Sequence, residues 1–419
     1  MPKVERSFAD GSRIVTVNHP GGTSDLLLLL NGRQVSRVVI VPMLMRIGAA
    51  VVRMDGIGGV STEEGFRNRG YSRRVMETAV EQMRRGDAAL STLFGIEDFY
   101  QKFGYETTGP EYTVVLPLAG ATAPTPSLPR GWRFRPLTSG DMPAVMRLYH
   151  ANTGRATGAL VRHDAGDDPS ETERLADVNP DARKIGLRAW NRVQGVAAEP
   201  GDDACRVLVD QSGRIAAYAW FGANWWMGIR RRDLPGAFHI AEGMARDAEA
   251  ADNLLVACRH WANHARSDCD SIALAIPPEG PVAMAAAYEG GQMLGVYTRG
   301  GNFMGRVLDV GRLLRMLLPE LAARVRSARL LFQGRLTFRT DEGEATIVLA
   351  EDDVLVAGGA GGGVVVELPQ TALARLCLGG FDPADVLARL PNPPDREVKA
   401  VLRALFPRRM PHIYPMDRF

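Results

Sequence analysis

A chain of 419 residues exceeds one ordinary hydrophobic core and calls for two or three domains. Hydrophobic residues make up 46% of it and charged residues 23%, and 50 Lys and Arg against 48 Asp and Glu leave no basic excess for nucleic acid or an anionic membrane surface. Cys205, Cys258, Cys269 and Cys377 form no CxxC pair, which argues against a zinc ribbon or disulfide framework and fits a reducing cytoplasm. The opening MPKVERSFADGSR lacks the apolar core of a signal peptide, and runs such as DLLLLLN are too short to span a bilayer. A soluble chain that is not exported is expected.

Residues 13 to 60 alternate β-rich runs with turn signals: RIVTVNH, then Pro20-Gly21-Gly22, DLLLLL, Asn31-Gly32, SRVVIVPMLM and AAVVRM. This pattern predicts an antiparallel meander. From Tyr71 to Arg84 the apolar residues Val75, Met76, Ala79, Val80 and Met83 fall at helical spacing, with Gly86 as a stop. LSTLFG then reads as a buried strand, FYQKFGY as a short helix ending at Gly104, and EYTVVLPL as a closing strand. AGATAPTPSLPRG cannot form a core and reads as a linker, placing a boundary near Arg130.

Beyond the linker, GDMPAVMRLYHAN is an amphipathic helix and CRVLVDQSGRIAAYAWF a hairpin. LLVACRHWANHAR, SIALAIP and GPVAMAAAYEGG follow as helix, strand and helix. This order repeats the first segment in outline. The third segment starts near Gly305 with a long helix, for which Asp309 is the N-cap. The strands RLTFRT, EATIVLAE, DVLVAG and VVVELP come next, and helices lead to the end HIYPMDRF.

One turn is chemically distinctive. Arg67, Asn68, Arg69 and Gly70 stand between the strand ending Val60-Ser61-Thr62 and a helix N-terminus, where unpaired N–H groups and the helix dipole favour an anion. Gly70 allows close backbone approach, Ser72 adds a hydroxyl donor, and the arginines add charge-assisted bonds. A pyrophosphate fits. A solvated arginine-rich first turn would explain the charge but not the glycine inside a helical pattern. No Gly-Lys-Ser/Thr follows, so this is not a Walker loop, and it is not GxGxxG.

Arg67-Asn-Arg-Gly70-Tyr-Ser72 resembles the R/Q-x-x-G-x-G/A acyl-CoA signature of the GCN5-related N-acetyltransferase superfamily. Phe99-Tyr100-Gln-Lys-Phe103-Gly104-Tyr105, about thirty residues later, resembles that fold's FYxxxGF/Y stretch. Over nearly its full length the chain resembles the enhanced-intracellular-survival acetyltransferase family. The implied architecture is α+β to α/β, with an acyl-CoA-binding acetyltransferase domain at 1–118, a second, degenerate one at 130–304, and a sterol-carrier-type α/β domain at 305–419.

The resemblance implies acetyl-CoA as cosubstrate, a primary amine as acceptor (a polyamine, an aminoglycoside-like compound or a lysine side chain), and a homo-oligomer, often a hexamer. Val60 and Thr62 would pair with pantetheine as a strand does, and Tyr100 would donate a proton to the departing thiolate. With an intrinsic pKa of roughly 10 against about 8.5 for a thiol, tyrosine suits that step. Tyr105 reads as packing. The terminal carboxylate of Phe419 is the base that the resemblance implies, and His412, seven positions earlier, is an alternative. Read without the resemblance, Phe419 is a frayed end and His412 a surface residue.

The family has two helices between its first and second strands, which wall the acceptor site; here the roughly sixty residues before Val60 read as strands, so either those helices are missing or the acceptor cleft is built differently. That departure supports a second reading, a non-catalytic protein in which the scaffold serves binding or assembly.

Other signals are set aside. His260 and His264 lie four apart near Cys258 but lack a third ligand, so no metal is expected. The Ala357–Gly363 run precedes a strand rather than a helix and reads as a hairpin loop. Trp220, Trp225 and Trp226, beside Arg230 to Arg232, read as buried in the second domain.

Overall fold

The computed structural model describes residues 3–19, 22–118, 127–162, 205–221, 234–265, 269–330, 332–350, 353–357 and 362–419. The alternation at the start of the chain becomes β1 (Lys3–Ser7), β2 (Arg13–Asn18), β3 (Ser24–Leu30), β4 (Arg33–Ile47) and β5 (Ala50–Thr62), paired antiparallel in chain order. Asn31 and Gly32 both have positive φ, 51° and 79°, the handedness a two-residue hairpin needs. SRVVIVPMLM and AAVVRM are parts of two long strands that stay paired through Pro42↔Asp55 and Val41↔Gly56. Among described residues 3–62 there is no helix. The helix Tyr71–Arg85 buries Val75, Met76, Ala79, Val80 and Met83 against this sheet, and β6 (Leu90–Gly95) runs parallel to β5.

Two strands then change partners. β7 (Glu106–Thr107) remains in the first sheet, but β8 (Glu111–Pro117) leaves it and lies between β14 (Ser271–Leu274) and β15 (Gln292–Val296) of the second. That second sheet also holds β9 (Arg133–Pro136), β11 (Cys205–Val209), β12 (Ile215–Phe221) and β13 (Ala237–Ala245). In return, β10 (Thr157–Leu160) pairs with β4, and β16 (Asn302–Val307) inserts between β6 and β7. The sheets are therefore shared across the cuts at 118, 130 and 304 drawn from sequence. Alternation with period two identifies a strand but not its partner.

The third unit begins with the helix Val310–Ala328, whose N-cap Asp309 accepts from Arg312 N at 2.7 Å. β17 (Gly334–Thr340), β18 (Gly343–Leu349), β19 (Val354–Ala357) and β20 (Val364–Glu367) form a sheet of order β19-β18-β17-β20, followed by helices Gln370–Leu378, Pro383–Ala388 and Arg396–Leu405. β19 and β20 stand at opposite edges, so the glycine-rich run joins edges and does not close a hairpin; residues 358–361 lie outside the described residues.

Leu313, Leu314 and Leu317 share one core with Val52 and Met54 of β5. Thus the third unit covers the face of the first sheet opposite the Tyr71–Arg85 helix. Polar contacts fix the docking: Gln370 donates to Gly104 O at 2.6 Å and accepts from Val307 N at 2.7 Å, and Arg306 bridges Phe103 O and Glu342.

Candidate active site

β5 and β6 are paired from Met54↔Leu90 to Gly56↔Thr92 and then part. β5 continues to Thr62 with β4 on its other side, where Arg37↔Ser61 is followed by Val39↔Gly58. The extra residue is taken up at Gly59, φ 57°, a bulge that bends the strand. Among the described residues no strand pairs with the edge of residues 57–62 that β6 has left. A ligand amide could add there as a strand would.

After β5 comes a single 3-10 turn, Glu64–Phe66, and then the arginine-glycine turn. Asn68 and Gly70 have positive φ, 62° and 78°, and Gly70 is the N-cap of the Tyr71–Arg85 helix without a side-chain cap. No acidic residue lies in the helix's first turn. A Cβ on Gly70 would meet nothing within 4 Å, so the space before the first N–H groups is open.

The turn, the strand end and Tyr100 meet in one cleft of ≈ 730 Å³. Val60, Thr62, Arg67, Asn68, Gly70 and Ser72 line it with Tyr100. Arg69 is not among the lining residues; its guanidinium lies 5.6 Å from the Phe66 ring centroid. Phe99 of the FYQKFGY stretch also lines it, as do Arg73 and Lys102, which sequence reasoning did not single out. Lys102 sits within the FYQKFGY stretch, where it reads as an ordinary helix charge.

Tyr100 is buried, with Phe99 edge-on at 4.8 Å between ring centroids. Burial pushes its hydroxyl pKa up to about 12. Tyr105 is fully buried and bonds Ser91 Oγ at 2.7 Å, in keeping with packing.

The chain's end reaches this sheet. An ideal Cβ on Gly56 would stand 2.5 Å from the Phe419 ring, and one on Gly58 would stand 2.7 Å from the Phe419 carboxyl carbon. The Phe419 backbone carbon and ring therefore lie against β5 two residues before Val60. The glycines that admit it were legible as a sign of close approach, since glycine in a strand interior otherwise weakens it.

His412 is elsewhere. It is buried rather than on the surface, its backbone N–H donates to Thr157 O at 2.9 Å, and its Nε2 lies 3.0 Å from Ala275 O. Burial, with Arg418 nearby, lowers its pKa to about 3, so it is neutral and its Nε2–H is committed to a carbonyl. A proton acceptor at that position is disfavoured.

The second sheet repeats the parallel pair, β13 beside β14 from Ala237↔Ser271 to Ile240↔Leu274, and β13 runs on to Ala245 after β14 ends. The helix Ala248–Ala265 that follows has its anion position filled by the chain itself, since Asp247 Oδ1 accepts from Ala250 N at 2.9 Å. Trp220 is buried in this sheet; Trp225, Trp226 and Arg230 to Arg232 lie outside the described residues. Among the described residues no three His, Cys, Asp or Glu side chains gather as metal ligands, and no helix is long and apolar enough to cross a membrane.

Residues 19–108 match the family model described as an acetyltransferase (GNAT) domain. No curated protein matches the chain. Among solved structures it is similar to a conserved protein of unknown function from Enterococcus faecalis V583, at TM-score 0.63 and 14% identity over 95% of this chain and 89% of that one. It is also similar to a GCN5-related N-acetyltransferase from Kribbella flavida, at 0.61 and 18% over 94% and 87%. Eis1 from Mycobacterium abscessus aligns at 0.55 and 13% over 94% and 91%. At these identities the likeness is one of fold, and it extends over all three units.

Proposed function

We propose that the protein is an acetyl-CoA-dependent N-acetyltransferase that acts on a primary amine. The observation that carries this reading is the single cleft in which an uncapped helix N-terminus, an unpaired strand edge and Tyr100 meet. Acetyl-CoA, when bound, supplies the thioester carbonyl. Arg67, Arg73 and the first N–H groups of the Tyr71–Arg85 helix hold its pyrophosphate, and residues 57–62 pair with its amides. Tyr100, protonated at neutral pH, donates to the departing sulfur. Full proton transfer to a solvated thiolate would be uphill, since about 12 stands against about 8.5, but a thiolate held beside the buried Tyr100 loses solvation too, which raises its own pKa.

The Phe419 carboxylate, beside Gly58, attracts the acceptor ammonium and takes its proton through a water, because a carboxylate of intrinsic pKa near 3.5 is a weak direct base. The full-length fold similarity supports assignment to the enhanced-intracellular-survival type; a sterol-carrier-type third unit, a cytoplasmic home and a homo-oligomer, often a hexamer in that family, are proposed on the family resemblance alone.

Single-turnover incubation with acetyl-CoA and a panel of polyamines, aminoglycosides and lysine peptides tests this. Thiol release above the no-acceptor background is expected with at least one of them, and Tyr100→Phe should lower it by at least about a hundredfold, the size of a lost general acid. The absence of helices over described residues 3–62 favours the second reading, a non-catalytic acyl-CoA-binding or assembly protein. Acetyl-CoA binding without turnover of any acceptor would select it.

A further inference from the structure

The second unit holds a charged cluster to which none of the roles above has been given. β13 loses β14 as a neighbour after Ile240↔Leu274, as β5 loses β6 after Gly56↔Thr92. Two residues past the last pair stand Gly58 in one sheet and Glu242 in the other. At Gly58 the carboxyl group belongs to Phe419; at Glu242 it belongs to the strand itself.

Glu242 takes two bonds from Arg162, Nη1 to Oε1 at 2.9 Å and Nη2 to Oε2 at 2.6 Å. The other edge of that guanidinium grips Asp417, Nε to Oδ1 at 2.9 Å and Nη2 to Oδ2 at 2.8 Å. All three side chains are buried, none more than 1% exposed. Tyr218 donates to Glu242 at 2.6 Å, and the guanidinium stacks 3.7 Å from the Tyr149 ring centroid.

A planar fork held on both edges fixes its partner in direction as well as position. Asp417 is two residues from the chain's end, so the terminal carboxyl group lies within about 7 Å of chain from the grip. A buried ion cluster is weak evidence for stability, since apolar side chains of equal volume would serve that purpose at least as well. Specification of one geometry is the use that remains.

We propose that Arg162, clamped by Glu242, is a positioning residue: β13, beyond the end of β14, seats the chain's own tail, and the grip on Asp417 sets the Phe419 carboxylate against Gly58. Its catalytic consequence rests on the reading of that carboxylate as the base.

Asp417→Asn keeps the shape of the side chain and leaves Arg162 paired with Glu242. Carboxypeptidase A, which removes a terminal aromatic residue and stops at arginine, reads the tail directly. In the full-length variant, release of Phe419 should be at least about tenfold faster than in the wild type. Its kcat should fall by at least about tenfold, with KM for acetyl-CoA unchanged, and Asp417→Glu should recover part of both. Faster release with unchanged kcat would uphold the grip and remove the carboxylate from the reaction. Should Asp417→Asn fail to fold, Glu242→Gln loosens the clamp without touching the tail and is read the same way. Wild-type release rates in the folded variants would overturn the proposal.

Discussion

The carboxyl carbon of Phe419 stands 2.7 Å from where the Cβ of any side chain at Gly58 would begin. The last residue of the chain and a mid-strand glycine are thus complementary in volume. Gly58→Ala should push the tail off β5, because the atom displaced is backbone and cannot rotate away. Turnover should drop by at least about tenfold while the melting temperature moves by only a few degrees, as expected for a change of about 1 kcal/mol. Steady-state assays beside a thermal melt check this.

The arginines of the turn should separate. Arg67 and Arg73 line the cleft, whereas Arg69 lies over the Phe66 ring. Arg67→Ala and Arg73→Ala should each weaken acetyl-CoA binding by about tenfold, the loss of one charged hydrogen bond. Arg69→Ala should stay within about threefold. Calorimetric titration distinguishes them, and equal losses at all three would show that the turn rearranges on binding.

Stability should depend on pH through His412. In the unfolded chain it titrates near 6.5, and in the folded one near 3 because burial opposes its charge. Above pH 6.5 it is neutral in both states and its contribution is complete. As pH falls below 6.5 the unfolded chain takes up the proton first, and stability declines by up to about 1.4 kcal/mol per unit until the folded pKa is reached. Urea unfolding at pH 7.5 and 5 should show a loss that His412→Gln reduces. The same variant, if folded, should keep its turnover.

One acetyl-CoA should bind per chain. The helix end of the second unit is already capped by Asp247, whose pKa is lowered first by its bond to Arg246 and then by the backbone of Ala250. An anion there would meet a carboxylate. A calorimetric stoichiometry near two would refute this.

Local chemistry was legible where it was local. The period of Val75, Met76, Ala79 and Val80, the Asn31-Gly32 turn and the Asp309 cap each follow from a few neighbouring residues, and each is present. Gly70 could be read as special because a helix pattern has no other use for it. What could not be read depends on pairs far apart in the chain. Nothing near Glu111 says that its strand joins Ser271–Leu274, and nothing near Gly58 names its neighbour 361 residues later. His412 looked exposed because it follows Pro411 near an end, and only the packing of Tyr112 and Tyr414 around it shows otherwise.

The exchange of strands has a consequence for how the molecule comes into being. The slot between β6 and β7 is filled by Asn302–Val307, and β8 has no neighbours until Ser271–Leu274 and Gln292–Val296 exist. During synthesis the first sheet therefore waits, gapped, while roughly two hundred further residues are added, and closing it requires contacts of long sequence separation, which form slowly. A fragment ending near residue 118 would present an open edge on β6 and an orphaned apolar strand, EYTVVLP, and should aggregate or be captured by chaperones. The segment that matches the acetyltransferase family model is in this sense not a part that can be made by itself.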